Sequence, residues 1–235
     1  MEAKSAAKDD KPVLSKEMAP FVTAFLNGWF DVLCFKQYKA FTLRQTGSTM
    51  NSAINVVTGD IVNIRFFIGV LVHYCGGCAL MRFLDIMFEG RARCAAAPVV
   101  LALQSANDKL CQALPQAKSH MWLLAMSNGI FNTAFAEKLG CLTHVITGHY
   151  QKVSTDLVAM AMKNMTHDER RTMQRGTIKS ALVLLAFFAG SFMGQAGGDM
   201  KHSLVGLCSK QRFGILGIFY AATLVLSEVP KNRIL

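Results

Sequence analysis

The sequence predicts an all-α protein, a polytopic transmembrane helix bundle of six to eight helices built from two homologous halves. Hydrophobic residues make up 52% of its 235 residues and charged residues only 17%, below the roughly 25% charged that is typical of soluble domains. The charges fall between long apolar segments, as loops do in a multi-pass membrane protein. A polar-glycine-aromatic-polar word also occurs twice, as NGWFD from Asn27 and as NGIFN from Asn128. These observations predict an integral membrane protein with an internal repeat.

The first half follows a polar N-terminal tail, residues 1–19, which has no apolar core and so predicts no cleavable signal peptide. We predict a first membrane repeat over residues 20–106 and a polar connector over residues 107–119. Its third segment is strongly apolar and long enough to cross a bilayer, which takes about 20 residues. The second segment is half polar and the fourth is short. The four segments are residues 20–38, 40–58, 61–81 and 94–106.

The second half repeats this plan over residues 120–228 and ends in a C-terminal tail, residues 229–235. Its second segment is again half polar, and a charged stretch, residues 163–176, is predicted as a loop. An apolar run long enough to cross a bilayer follows. The four segments are residues 120–139, 141–162, 177–198 and 213–228.

Direct comparison of the halves supports the duplication. With Asn27 set against Asn128, six residues are identical without a gap. They are Asn27, Gly28, Phe30, Thr42, Thr46 and Gly47, which meet Asn128, Gly129, Phe131, Thr143, Thr147 and Gly148. Further along the chain, a second comparison sets Gly69 against Gly190. Four spans per half would give the halves one orientation and three would invert them, and the segments favour four plus four.

Polar residues inside the predicted spans are the candidate binding residues, because polar groups at membrane depth face the protein interior. Asn27 and Asp31 share a helix face, and so do Asn128 and Asn132. Each pair either hydrogen-bonds a neighbouring helix or contributes to a solute site, and the sequence leaves both open. The half-polar segments add the two Thr-Gly pairs and their neighbours. The hypothetical substrate-binding set is Asn27, Asp31, Gln45, Thr46, Gly47, Asn128, Asn132, Thr147, Gly148 and His149.

Other classes of site are not indicated. The chain has no nucleotide-binding, hydrolase or metalloprotease motif, so we predict no catalytic residue, no metal site, no cofactor and no enzyme. The Cys75-x-x-Cys78 pair is interrupted by two glycines that favour a close helix contact over redox chemistry. The net charge of +10 is spread over short loops, which favours the lipid bilayer and its anionic headgroups as partners and gives no sign of nucleic acid.

The motif order resembles the DUF1275 (UPF0700) family of polytopic membrane proteins over residues 20–228. The matching words are Q-T-G-S from Gln45, F-F-I-G from Phe66, A-M-S-N-G-I-F-N from Ala125 and T-H-V-I-T-G from Thr143. The resemblance implies a multi-pass architecture and implies no activity. This chain departs from the usual family pattern after each Thr-Gly pair. It carries Ser48 where members usually have Asn, and His149 where they usually have a small hydroxyl residue.

Two functions fit these features. The first is a small-solute permease with a polar site between two pseudo-symmetric halves, since duplicated membrane bundles commonly hold solutes between their repeats. The alternative is a non-catalytic structural or accessory subunit of a larger membrane protein complex, which would add other membrane subunits to its partners.

Overall fold

The computed structural model describes residues 12–43, 45–139, 146–162, 165–199 and 212–230. Over those residues the chain forms eight α-helices and no β-strand, so the predicted all-α class is confirmed. The helices are α1 Ala19–Tyr38, α2 Gln45–Thr58, α3 Ile61–Met87, α4 Ala92–Ala113, α5 Met121–Leu139, α6 Ile146–Met162, α7 His167–Asp199 and α8 Arg212–Leu226.

The turns between the first helices have clear local causes. The chain leaves α1 through Lys39, whose φ of 56° ends the helix, and leaves α2 through Gly59, whose φ of 72° is accessible to glycine at no steric cost. Asp60 then begins α3, because its carboxylate accepts hydrogen bonds from the backbone and side-chain nitrogens of Asn63 at 3.1 and 2.7 Å. These bonds stabilise the ionised carboxylate and lower the pKa of Asp60.

The predicted polar connector after residue 106 is partly helical, because α4 continues through Ala113. Two of its polar residues are buried rather than exposed to solvent. Asn107 accepts a hydrogen bond from the Tyr38 hydroxyl at 2.8 Å. Asp108 accepts bonds from the backbone nitrogens of Phe213 at 3.3 Å and Gly214 at 2.6 Å. Both side chains make hydrogen bonds between helices. Hydropathy alone assigns such polar residues to a loop.

The charged stretch predicted as a loop over residues 163–176 is wrong from His167 onwards, where α7 begins. Thr166 and Glu169 form a reciprocal cap at this helix start. The Thr166 backbone nitrogen donates to the Glu169 carboxylate at 3.0 Å, and the Glu169 nitrogen donates to the Thr166 hydroxyl at 3.4 Å. Residues 163 and 164 lie outside the described residues.

Helices α4 and α8 pack against each other in opposite directions. Asp108, near the end of α4, accepts the bonds just described from the first residues of α8. At the other end, the carboxylate of Glu228 accepts a 2.8 Å bond from the backbone nitrogen of Cys94, in the first turn of α4. Each helix therefore has its N-terminal end capped by a carboxylate from the C-terminal end of its partner.

Helices α1 and α7 pack in the same direction, and glycines bring their backbones together. A Cβ atom on Gly28 would meet the carbonyl oxygen of Phe187, and one on Gly190 would meet the carbonyl oxygen of Phe25. Close backbone approach at small residues is the usual means of packing helices in membranes. The glycine of the NGWFD word is therefore a contact residue.

The glycine of the NGIFN word has the same role between α3 and α5, which also run in one direction. A Cβ on Gly129 would meet the carbonyl oxygen of Tyr74, and one on Gly77 would meet that of Met126. Gly76, its neighbour, has open space around the position of a Cβ. The sequence predicted a close helix contact at both glycines, and this prediction is confirmed for Gly77 and wrong for Gly76.

The directions of the remaining helices follow from cross-helix contacts. Helix α8 is antiparallel to α1, since Tyr220 bonds Asn27 whereas Phe213 contacts Tyr38. Helix α5 is antiparallel to α4, with Gln104 bonded to Ser127 and Arg93 over the ring of Phe135. Hence α1, α4 and α7 point one way and α3, α5 and α8 the other. Four spans per half would give both halves one orientation, so α4 and α8 would be parallel. They are antiparallel, and the predicted four-plus-four arrangement is therefore wrong.

Two described helices are long and apolar enough to cross a membrane, Ile61–Met87 and His167–Ala196. Only 22% of the apolar window of each is buried inside the bundle, unlike the core helix of a soluble protein. Large apolar side chains stay exposed along both, and continuous apolar surface of this kind is rare on soluble proteins. Examples are Val62, Val72 and Ile86 on α3 and Leu185, Phe188 and Phe192 on α7. The two helices indicate association with a membrane.

Candidate functional site

A groove of about 790 Å³ is bordered by the first turns of α2 and α6, the helices that carry the two Thr-Gly pairs. Thr46 lines it from α2 and Thr147 from α6, while α3 and α7 supply Tyr74 and Ser191. Its lining in the described part of the chain contains no charged side chain. We call it the α2–α6 groove. Its lining is Phe41, Leu43, Gln45, Thr46, Gly47, Tyr74, Ile146, Thr147, Tyr150, Leu184, Phe187, Phe188 and Ser191.

The segment that leads into α2 is buried in the bundle, at Thr42 and Leu43, because the chain turns back after α1. The Thr42 hydroxyl lies 3.7 Å from the sulfur of Cys34, which belongs to the last turns of α1. The Gln45 amide then donates to the carbonyl of Thr42. Helix α2 has 14 residues, about 21 Å at ~1.5 Å per residue, and a bilayer core is about 30 Å thick. It is too short to span.

The first turn of a helix offers backbone N–H groups that have no acceptor within the helix. Gln45, Thr46 and Gly47 form this turn in α2, and all three line the groove. Hydroxyl and amide side chains stand beside these N–H groups, so the groove can hydrogen-bond a small polar solute. Aromatic side chains on the same lining, Phe41 and Tyr150 among them, supply apolar contact.

Of the predicted binding residues, the groove brings together Gln45, Thr46, Gly47 and Thr147. Gly148 and His149 follow in the first turns of α6 but are not among the lining residues. Gly148 is exposed and His149 is buried.

Asn128 and Asn132 support the groove from behind rather than lining it. Asn128 is fully buried, and its side-chain nitrogen donates to the Thr42 hydroxyl. This bond fixes the segment that leads into α2. The side-chain nitrogen of Asn132 donates to the Tyr74 hydroxyl at 3.2 Å, and Tyr74 lines the groove. Both residues therefore position parts of its wall.

Asn27 and Asp31 lie in the core between helices, with 0% and 3% of their surface exposed. The Tyr220 hydroxyl on α8 donates to the Asn27 side-chain oxygen at 2.9 Å. The Asn27 side-chain nitrogen has no partner among the described residues. Asn128 donates to Thr42, and in the sequence comparison Asn27 and Thr143 are the counterparts of these two residues. Thr143 falls outside the described residues. Neither Asn27 nor Asp31 is part of the groove lining.

Sequence reasoning missed the groove residues that come from other helices. Tyr74 and Ser191 lie in the long apolar helices α3 and α7, where they look like ordinary polar interruptions. The Ser191 hydroxyl donates to the carbonyl of Phe187 at 3.0 Å, as serines in membrane helices commonly do. The available signal is their closeness to the glycines Gly77 and Gly190, which mark where another helix approaches.

The hydrogen bond between Tyr220 and Asn27 gives a test of the packing role. We expect Tyr220→Phe to lower stability by ~1–3 kcal/mol, because the buried Asn27 oxygen loses its donor. Tyr150→Phe, at a tyrosine that is 61% exposed, is the matched control and should have little effect. The measurement is thermal unfolding of the purified protein in detergent. Equal stability of the two variants would contradict a structural role for Asn27.

The geometry defines a class. The chain is an all-helical, membrane-associated protein with a groove, lined by apolar and uncharged polar side chains, at the starts of two short helices. Within the described residues there is no group of three or more His, Cys, Asp or Glu side chains that could hold a metal ion.

The comparison with protein families identifies the family of the chain. The model for "Protein of unknown function (DUF1275)" matches residues 19–210, and the chain belongs to the DUF1275 family. No curated protein and no solved structure matched the chain.

Proposed function

We propose that the chain is a multi-pass membrane permease for a small polar solute, built from two halves of inverted orientation. Helices α1–α4 form one half and α5–α8 the other. The observation that carries the proposal is the α2–α6 groove, to which each half contributes the polar first turn of a short helix. Inverted repeats with discontinuous helices at a shared solute site are a recurrent design of secondary transporters.

The packing of the helices supports the proposed halves. Helix α1 packs on α7 as α5 packs on α3, and α2 packs on α3 as α6 packs on α7. The α4–α5 contact has its counterpart in α8–α1, and α4 and α8 pack on each other. A two-fold axis that exchanges the halves would produce this set of pairs. Because α4 and α8 are antiparallel, such an axis would be perpendicular to the helices and lie in the membrane plane.

Glycine contacts support the same axis and revise the second sequence comparison. Gly190 approaches the carbonyl of Phe25, and Gly77 approaches that of Met126. Phe25 and Met126 are counterparts in the comparison that sets Asn27 against Asn128. Gly190 therefore corresponds in space to Gly77, whereas the sequence comparison paired it with Gly69. Gly69 instead lies against the indole ring of Trp122.

Transport can be measured on the full chain reconstituted in liposomes. Swelling after an osmotic step, followed by light scattering, reports the entry of a solute. The probes are glycerol and urea as neutral polar solutes and formate and nitrate as small anions, since helix N-termini favour negative charge. We expect at least one probe to enter faster than it enters protein-free liposomes. Equal rates for all four would contradict the proposal for solutes of this size.

The second candidate is an accessory subunit of a larger membrane complex, and the outer faces of α2 and α6 favour it. Thr49, Gln151 and Thr155 are exposed there, and polar surface is costly against lipid. A partner subunit would cover it. Native size after gentle extraction separates the two functions: a monomer or small homo-oligomer supports the permease, and exclusive recovery within a larger hetero-complex supports the subunit.

A further inference from the structure

A second pocket, of about 340 Å³, lies at one end of the bundle. Its walls come from the ends of several elements: the segment before α1, the turn between α3 and α4, the first turn of α4 and the residues that follow α8. Lys16, Arg93, Phe135, Ser227 and Glu228 are among its lining residues. Because every helix that contributes a polar group begins or ends here, a multi-pass arrangement places this pocket at the level of the lipid headgroups.

Arg93 is the central group of this pocket and is only 5% exposed. Its Nη1 donates to the side-chain and carbonyl oxygens of Ser227 at 2.8 and 3.2 Å. The guanidinium carbon lies 5.0 Å from the ring centroid of Phe135. Its Nη2 is buried and has no hydrogen-bond partner among the described residues. A buried guanidinium N–H without an acceptor is costly, so this atom indicates a ligand that brings an acceptor.

Glu228 presents the opposite charge in the same pocket. Its Oε2 accepts the bond from Cys94, whereas its Oε1 is buried and has no partner among the described residues. No ion pair between Glu228 and Arg93 is present, so the two charges do not satisfy each other. The pocket therefore offers one cationic donor and one anionic acceptor to a ligand.

We propose that this pocket binds the headgroup of phosphatidylethanolamine. The phosphate accepts from the guanidinium of Arg93, with the ammonium of Lys16 nearby, and the ethanolamine ammonium donates to the carboxylate of Glu228. Phosphatidylglycerol brings the phosphate but no cation for Glu228. Phosphatidylcholine brings a cation whose quaternary nitrogen has no N–H to donate. The proposal rests on the multi-pass architecture above and does not require transport activity.

The test is a lipid titration of the delipidated full chain in detergent, followed by native mass spectrometry. We expect phosphatidylethanolamine to bind about tenfold more tightly than either phosphatidylglycerol or phosphatidylcholine, since charged hydrogen bonds contribute this much. Equal binding of the three lipids overturns the proposal. A soluble competitor, glycerophosphoethanolamine, distinguishes the sources, and displacement of the lipid at equal concentration overturns the assignment to a membrane lipid.

Two variants place the binding at this pocket. Glu228→Gln keeps an oxygen for the Cys94 bond and removes the charge, so we expect the preference over phosphatidylglycerol to disappear while the fold persists. Arg93→Met should weaken the binding of phosphatidylethanolamine and of phosphatidylglycerol about tenfold. Arg91→Met, which removes the same charge at an exposed neighbouring position, is the matched control. An unchanged preference in Glu228→Gln, or equal losses in the two arginine variants, overturns the site.

Discussion

Replacing Gly77 with alanine lowers the apparent melting temperature of the protein by roughly 2–12 °C, the shift expected for ~1–3 kcal/mol of overpacking. Replacing the adjacent Gly76 leaves it unchanged or raises it. The two glycines are neighbours on α3, but only Gly77 faces α5. A Cβ there would meet the carbonyl group of Met126, with the Cα of Gly129 3.1 Å away. Neither atom can move without separating the helices.

Gly76 is an unusually close control because it shares the sequence, helix and chemistry of the test site. It has no neighbouring atom within 4 Å of the position of a Cβ, and alanine is preferred over glycine inside a helix by ~1 kcal/mol. The measurement is unfolding in detergent followed by size-exclusion fluorescence. A melting temperature that falls equally in both variants would show that the contact between α3 and α5 is not the cause.

Double variants sharpen this prediction. Gly129 lies opposite Gly77, so a methyl group at either position separates the same two helices. We expect the loss in Gly77→Ala/Gly129→Ala to be smaller than the sum of the single losses, because contacting residues are not additive. Gly28 acts on the separate contact between α1 and α7, so Gly77→Ala/Gly28→Ala should be close to additive.

The sequence allowed the helical class and most helix positions to be predicted, because hydropathy reports directly on whether a segment can lie in an apolar environment. The bounds of α1 and α5 agree with the predicted segments to within one residue. The repeated word also singled out Gly28 and Gly129, and both make close backbone contacts. Local signals of this kind need no knowledge of which helix lies opposite.

The features that were missed depend on partners distant in the chain. Asn107 and Asp108 look like loop residues until Tyr38 and the start of α8 are placed beside them. The start of α7 was missed although the Thr166-x-x-Glu169 cap is local, because the charged stretch was judged by composition alone. The helix orientations were also misjudged, since the half-polar segment 40–58 was counted as a span although the helix within it, α2, has only 14 residues.

The candidate site was predicted in part for the same reason. Thr46 and Thr147 were marked by their repeated Thr-Gly context, and both line the groove. Asn27 and Asp31 were marked by the cost of polar groups in a membrane, but that cost requires only a partner inside the protein. For Asn27 the partner is Tyr220, so burial did not indicate a solute.

Replacing Gly47 with tryptophan abolishes solute entry without unfolding the protein. Gly47 lines the α2–α6 groove, and no atom lies within 4 Å of the position where its Cβ would be. The indole ring can therefore enter the groove without displacing the backbone, and there it obstructs the path between the first turns of α2 and α6. We expect swelling rates to fall to those of protein-free liposomes for whichever probe the wild type admits.

The matched control is Gly76→Trp, which adds the same ring at another open helical glycine, outside the groove. Its swelling rate should equal that of the wild type, and tryptophan at this exposed position should be tolerated. Melting temperatures of both variants near the wild-type value establish that the loss of entry in Gly47→Trp does not reflect misfolding. Wild-type entry in Gly47→Trp would show that the solute does not pass through the groove, because a ring of this size cannot leave a path beside Thr46 and Thr147 unchanged. Loss of entry in Gly47→Trp alone would assign the path to the groove.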